Sequence, residues 1–117
     1  MRGYRKEDAE LQTLLDLNNE SYWLNNRYWI KFEAYKVNKT KEVPHGIKYS
    51  LTLHDSNNTR VLGFDNAHAY KPKKKKYGCK KTTWDHKHKA YKVEPYEFES
   101  ASQLIEDFWS EVNKIIS

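Results

Sequence analysis

Three segments in the first 66 residues alternate apolar and polar side chains with a period of two, and that pattern leaves the chain few ways to fold. In Tyr28–Val37, Tyr28, Ile30, Phe32 and Ala34 fall on one side, and Trp29, Lys31, Glu33 and Tyr35 on the other. In Ile47–His54, Ile47, Tyr49, Leu51 and Leu53 oppose Lys48, Ser50, Thr52 and His54. In Arg60–Asn66, Leu62 and Phe64 share a side. Successive strand side chains point to opposite faces, so each segment reads as a strand with one buried face. The connections are short and polar. Asn38–Gly46 contains Pro44 and Gly46, and Asp55-Ser56-Asn57-Asn58 has the composition of a hairpin turn. Consecutive strands joined this way predict an antiparallel meander.

Two helical patterns flank the strands. Over about Glu7–Asn18, Leu11, Leu14 and Leu15 recur at helical spacing with Leu17 beside them, and Asn18 and Asn19 are plausible terminators. Ser21–Asn26 reads as a turn or loop. At the other end Ser100 and Gln103 have capping-box spacing: the serine hydroxyl accepts from a first-turn N–H and the glutamine reaches back. Leu104, Ile105, Phe108, Val112, Ile115 and Ile116 then form an apolar stripe that Trp109 widens. A fourth strand is expected within Ala90–Phe98, at an edge because Pro95 interrupts it. The prediction is α+β: an antiparallel three- to four-stranded β-meander with an N-terminal and a C-terminal helix packed on one face. At 117 residues it forms a single domain over 1–117. Hydrophobic content is only 38%, so the 4 Trp, 9 Tyr and 4 Phe must supply much of the core.

The net charge of +5 is unevenly distributed. Met1–Tyr70 is close to neutral. Lys71–Lys92 holds ten Lys against the single acid Asp85, and Val93–Ser117 holds six acids and one Lys. A basic loop at about 67–90 is therefore expected, as a long exposed loop or an extended hairpin. No apolar run approaches the roughly 20 residues of a membrane span. The first ten residues lack the apolar stretch of a signal peptide. The one cysteine, Cys79, has no partner for a disulfide or a multi-cysteine zinc site and reads as a bystander. The expected setting is cytoplasmic.

The residues suited to chemistry lie at the two mouths of the basic loop: Asp65-Asn66-Ala67-His68 before it and Trp84-Asp85-His86-Lys87-His88 at its end. If the loop closes on itself, His68, His86 and His88 converge beside Asp65. Three chemistries fit such a cluster. Imidazole titrates near neutrality, so two histidines can act as general base and general acid on an RNA phosphodiester, with Asp65 or Asp85 orienting a ring and no metal or other cofactor. Alternatively, His86 and His88, two apart on a strand, chelate a divalent metal with His68 and an aspartate, giving a metal-dependent hydrolase. In the third, the segment is a non-catalytic nucleic-acid-binding surface. Lys73, Lys74, Lys75, Lys76, Lys80, Lys81 and Lys87 are the expected phosphate contacts, and Trp84 the residue that stacks on a base. A lysine run is also what a solvated surface loop looks like, and Asp65-Asn66 is also what ends a strand. His45 reads as a loop residue, and His54 lies on the outer strand face. Only 4 Gly are present and none forms a phosphate cradle, which speaks against a nucleotidyl- or phosphoryl-transferring enzyme.

Pro44-His45-Gly46-Ile47-Lys48-Tyr49-Ser50-Leu51, Arg60-Val61-Leu62-Gly63-Phe64-Asp65-Asn66-Ala67-His68, Asp85-His86-Lys87-His88 and the acidic, aromatic C-terminal helix occur in an order and spacing that resembles the TumE family of toxins. The resemblance covers about Leu11 to Ile116. Each motif is weak alone; their order is considerably more specific. The chain departs from the family pattern in a loop lengthened by Lys71–Thr83 and in Asp85, which stands where the pattern has the first histidine of His-His-x-His. The resemblance implies a toxin of a toxin–antitoxin pair and a cognate antitoxin as partner, and carries Asp65, His68, His86 and His88 as site candidates. Action on RNA is the residue-based expectation added to it. The acidic C-terminal face could pair with the basic loop of a second copy, making a homodimer an open possibility.

Overall fold

The computed structural model describes residues 6–41, 43–66, 85–89 and 92–117. The three alternating segments form strands where the pattern places them. Together with three shorter strands they make one six-stranded antiparallel sheet whose order follows the chain: β1 (Ser21–Trp23), β2 (Tyr28–Lys36), β3 (Ile47–Asp55), β4 (Arg60–Asp65), β5 (His86–Lys89) and β6 (Lys92–Pro95). Helix α1 (Lys6–Asp16) precedes the sheet and α2 (Ala101–Ile116) follows it. The fold is α+β as expected, but the sheet has six strands rather than three or four.

The differences have physical reasons. β1, expected as a turn, is three exposed residues, too short to display a period. The Asn25 side-chain oxygen accepts from the Arg27 and Tyr28 N–H groups and folds β1 back onto β2. β5, expected inside the basic loop, reads His-Lys-His-Lys, so it alternates without any apolar residue for a hydrophobic pattern to register. β6 is the predicted fourth strand, shortened to end at Pro95 and lying at the sheet edge.

Ile30, Phe32, Ala34, Tyr49, Leu51, Leu53, Leu62 and Phe64 face the helices and are all essentially buried with Leu14, Leu104, Phe108 and Val112. Phe108 makes edge contacts with both Phe32 and Phe64, with ring centroids 5.7 and 6.0 Å away. Side chains of this size bring roughly 1.5–3 kcal/mol each on burial. α1 ends where two asparagines were expected to end it. The Asn18 side chain accepts from the Ala34 N–H, and Asn19 takes a left-handed φ of 70°. At α2 the Ser100 hydroxyl accepts from the Gln103 N–H at 3.0 Å, but the Gln103 side chain does not reach back. It donates forward to Asp107, whose carboxylate is the stronger acceptor, so half of the expected capping box forms.

The register between β3 and β4 shifts next to Leu53 and His54: Leu53 faces Leu62 and His54 faces Arg60, leaving Val61 as the extra residue of a bulge. Strict alternation would put Arg60 on the same side as Leu62 and Phe64. The bulge turns it to the opposite face.

Candidate functional site

The helix-free face of the sheet carries the other half of each alternation. Paired positions set it out in rows across the strands. One row runs Glu33, Ser50, Asp65, His86; the next runs Lys31, Thr52, Gly63, His88; a third runs Trp23, Trp29, His54, Arg60. Antiparallel pairing of Asp65 with His86 puts the carboxylate beside both imidazoles of β5. His86 Nε2 lies 2.9 Å from Asp65 Oδ1, and His88 Nε2 lies 3.1 Å from Asp65 Oδ2. One carboxylate thus bridges two imidazoles, whose rings sit edge to face at 4.9 Å.

The three groups differ in access. Asp65 is 7% exposed and His86 4% exposed, while His88 is only partly covered. Burial lowers the pKa of His88. Asp65 works in the opposite direction, and the Arg60 and His86 charges add to the lowering. The Arg60 side chain runs over Gly63: a Cβ placed there would meet Arg60 Cδ at 3.4 Å and Thr52 Cγ2 at 3.5 Å. The cation lies close enough to His54 to help lower that imidazole as well, after burial itself.

Asn66, next to Asp65, is structural. Its side chain accepts from the Tyr49 N–H and donates to the Ile47 carbonyl, both at 2.9 Å, standing in for the next rung of the ladder and holding the end of β4. The strand-end reading of this pair therefore holds for Asn66, whereas Asp65 is turned to the histidines.

Asp85, the alternative orienting carboxylate, faces elsewhere. It accepts a 2.6 Å hydrogen bond from Tyr49 Oη and lies 4.0 Å from His45 Nε2. Burial pushes the Asp85 carboxyl up, against the pull of the Tyr49 hydrogen bond and of His86; burial and Asp85 together push the Tyr49 hydroxyl far above its usual range. His45, expected only as a loop residue, packs on Phe98 with centroids 4.1 Å apart, and burial lowers its pKa. Lys87 points to the helix-covered face, where its Nζ lies 3.2 Å from Glu111 and 5.7 Å from the Phe64 ring centre. His68, Lys73, Lys74, Lys75, Lys76, Lys80, Lys81 and Trp84 lie outside the described residues.

Sequence reasoning missed Arg60 and the companions of the cluster on β2 and β3. Alternation already placed Trp29, Lys31, Thr52 and His54 on one face, but the bulge that brings Arg60 among them left no signal in the residue pattern.

A family model described as Toxin TumE matches residues 5–116, nearly the whole chain. The chain belongs to the TumE toxin family. Membership makes it a toxin of a toxin–antitoxin system and gives it an antitoxin as partner. Neither the curated proteins nor the solved structures gave a match. No helix among the described residues is long and apolar enough to cross a membrane.

With one donor atom from each of Asp65, His86 and His88, the three ligand atoms lie within 4.8 Å of one another. Two imidazole nitrogens and a carboxylate oxygen are a donor set that suits zinc and other divalent transition ions. The same set, without an ion, is a pair of imidazoles oriented by one base.

Proposed function

We propose that this TumE-family toxin acts on RNA, cleaving the phosphodiester backbone by metal-independent acid–base catalysis in which Asp65 orients His86 and His88. The observation that carries the reading is the carboxylate bridge of 2.9 and 3.1 Å between two imidazoles, with a guanidinium beside them. RNA carries its own nucleophile. A base takes the 2′-hydroxyl proton, the oxygen attacks the adjacent phosphorus, and an acid protonates the departing 5′-oxygen, leaving a 2′,3′-cyclic phosphate. His88, the more accessible imidazole, is the group assigned to the substrate. His86, buried behind it, holds the Asp65 carboxylate in place, as a third group orients the base in other acid–base constellations. Arg60 supplies positive charge where the pentavalent phosphate gathers negative charge. His68, three residues beyond Asp65 in sequence, is the proposed second proton carrier, and the lysines of 73–81 the wider phosphate contacts.

Incubating the purified toxin with single-stranded RNA, with and without EDTA, tests this. Cleavage that survives EDTA and is lost in His88→Ala and His68→Ala supports the assignment; cleavage by either alanine variant at the parent rate overturns it. Binding without cleavage in the parent selects the non-catalytic binding module instead. A second reading has its own observation, the three donor atoms within 4.8 Å. In it Asp65, His86 and His88 hold a divalent ion that activates water. Activity abolished by EDTA and restored by added Zn²⁺ or Mn²⁺ would select it.

A further inference from the structure

The third row of the helix-free face has no role in the chemistry just described. Trp23 pairs with Trp29, Trp29 with His54 and His54 with Arg60, so three rings and a guanidinium stand side by side across four consecutive strands. Trp29 and His54 are stacked, with centroids 4.3 Å apart and planes within 14°. Trp23 follows at 6.3 Å from Trp29 and is tilted by 48°. Trp23 is 57% exposed although it is among the largest apolar side chains of the chain. The core has no use for it: it sits on a three-residue edge strand, on the face away from the helices. His54 anchors the stack through its 2.9 Å contact with Thr52.

Charge indicates what this row accommodates. Arg60 closes it at one end, exposed, and its side chain leans over Gly63 toward His88 in the adjacent row. Lys31 stands next to Trp29 in that same adjacent row, on the exposed surface, with Glu33 3.5 Å away as partial counter-charge. Rings flanked by cations are the arrangement by which proteins hold single-stranded nucleic acid. Every base has a face that can stack, and the cations follow the backbone. From Trp23 to His88 the row crosses four inter-strand gaps, about 19 Å in all, the reach of a few nucleotides.

We infer that the Trp23–Trp29–His54–Arg60 row is a stacking platform for a single-stranded segment of the RNA, which it feeds to His88 from the β1 edge of the sheet. A base stacks on the exposed face of Trp23, Trp29 is held upright by His54 to flank it, and Arg60 contacts the phosphate between the platform and the Asp65 cluster. This rests on the proposed action on RNA and adds the direction of approach and the groups that bind the strand. It also implies tolerance of base identity at the stacked position, because a ring face reads no hydrogen-bond pattern.

The test is fluorescence anisotropy of a labelled single-stranded RNA octamer titrated with the full-length toxin and its Trp23→Ala, Trp23→Phe and Arg60→Gln variants over a range of salt. Circular dichroism of each variant checks the fold, which the exposed Trp23 does not hold. Trp23→Ala is expected to weaken binding roughly 5- to 150-fold, the loss of one stacked base, with the salt dependence unchanged. Trp23→Phe, which keeps a ring, restores most of it. Arg60→Gln weakens binding and lowers the logarithmic salt slope by about one. If the parent binds the octamer and Trp23→Ala binds equally well, the platform is wrong while action on RNA stands. If the parent neither binds nor cleaves any single-stranded RNA, both fall. If Trp23→Ala instead loses the antitoxin and keeps RNA, the row is a protein-docking surface and the inference is overturned.

Discussion

The two faces of this sheet are built from the same strands and obey different rules. On the helix-covered face the positions of β2, β3 and β4 are apolar and almost fully buried, and two helices bury their stripes against them. Where β5 continues that face it presents Lys87 and Lys89, and α2 answers with Glu111, 3.2 Å from one and 3.4 Å from the other. On the opposite face Asp65, His86 and His88 take up the intervening positions, with the Trp23–Arg60 row beside them. The charges of the first face are matched by a helix and complete the packing. Those of the second sit among polar and aromatic neighbours with no described helix above them. Residue parity along a strand therefore divides stability from chemistry, and a one-residue change of register would exchange the two.

The largest effects should separate the faces cleanly. Asp65→Asn keeps the shape of the side chain but removes the charge that both imidazoles contact. RNA cleavage is expected to fall by about two to four powers of ten, the usual weight of an acid–base group, and growth arrest on induction should disappear with it. Its thermal unfolding should still be cooperative. Phe108→Ala, across the sheet, should do the reverse. It removes a ring in contact with Phe32 and Phe64 and leaves a cavity, costing about 3–5 kcal/mol in chemical denaturation. Antitoxin binding and activity should survive in whatever fraction stays folded. An Asp65→Asn protein that is merely unfolded would break the division between the faces.

How much of this was legible in the chain follows the same parity. Ile30, Phe32, Tyr49, Leu51, Leu62 and Phe64 announced their face because burial selects apolar side chains at every second position. The stripe Leu104, Phe108 and Val112 announced the helix that covers them. Asp65, His86 and His88 could be proposed as partners from their places at the two mouths of the basic segment. Three things lay beyond the pattern. β5 carries no apolar residue, so its strand character depends on pairing with β4. Arg60 reaches the site only through the Val61 bulge. Lys87, one of ten lysines in a basic run, is drawn out of that run by Glu111, 24 residues away in sequence. Each is a contact between distant segments, which local periodicity does not encode.

Glu111 gives the next smaller effect and carries a pH signature. Burial alone would push its carboxyl up, but Lys87 and Lys89 outweigh burial and hold it below the usual carboxylate range. A folded-state value below the unfolded one means stability that is complete above the ordinary carboxylate range and lost as pH falls through the lowered value. Glu111→Gln should cost about 1–2 kcal/mol at neutral pH, between the worth of an exposed and a buried pair. Urea denaturation at neutral and at acid pH should show the parent converging on the variant as the carboxylate is protonated. A difference that persists unchanged into acid would show that the pair contributes by packing and not by charge.

The smallest effect tests the two faces with a single methyl group. Gly63 lies in β4 on the helix-free face, and an added Cβ would find Arg60 and Thr52 at 3.4 and 3.5 Å, ordinary contact distances, with the nearer atom on a flexible side chain. Gly63→Ala should therefore be neutral or raise stability by up to about 1 kcal/mol, because alanine gives up less backbone freedom on folding. Gly46 opens β3 with a φ of +73°, where a Cβ would come within 3.2 Å of the Val37 carbonyl oxygen. There the same substitution meets backbone and a left-handed conformation, and should cost about 1–2 kcal/mol. Thermal melts of the two alanine variants should move in opposite directions, or Gly63→Ala should not move at all. A destabilised Gly63→Ala would mean that the space under the Arg60 side chain is already full, and that the guanidinium is wedged over His88 by its own packing rather than resting on an open floor.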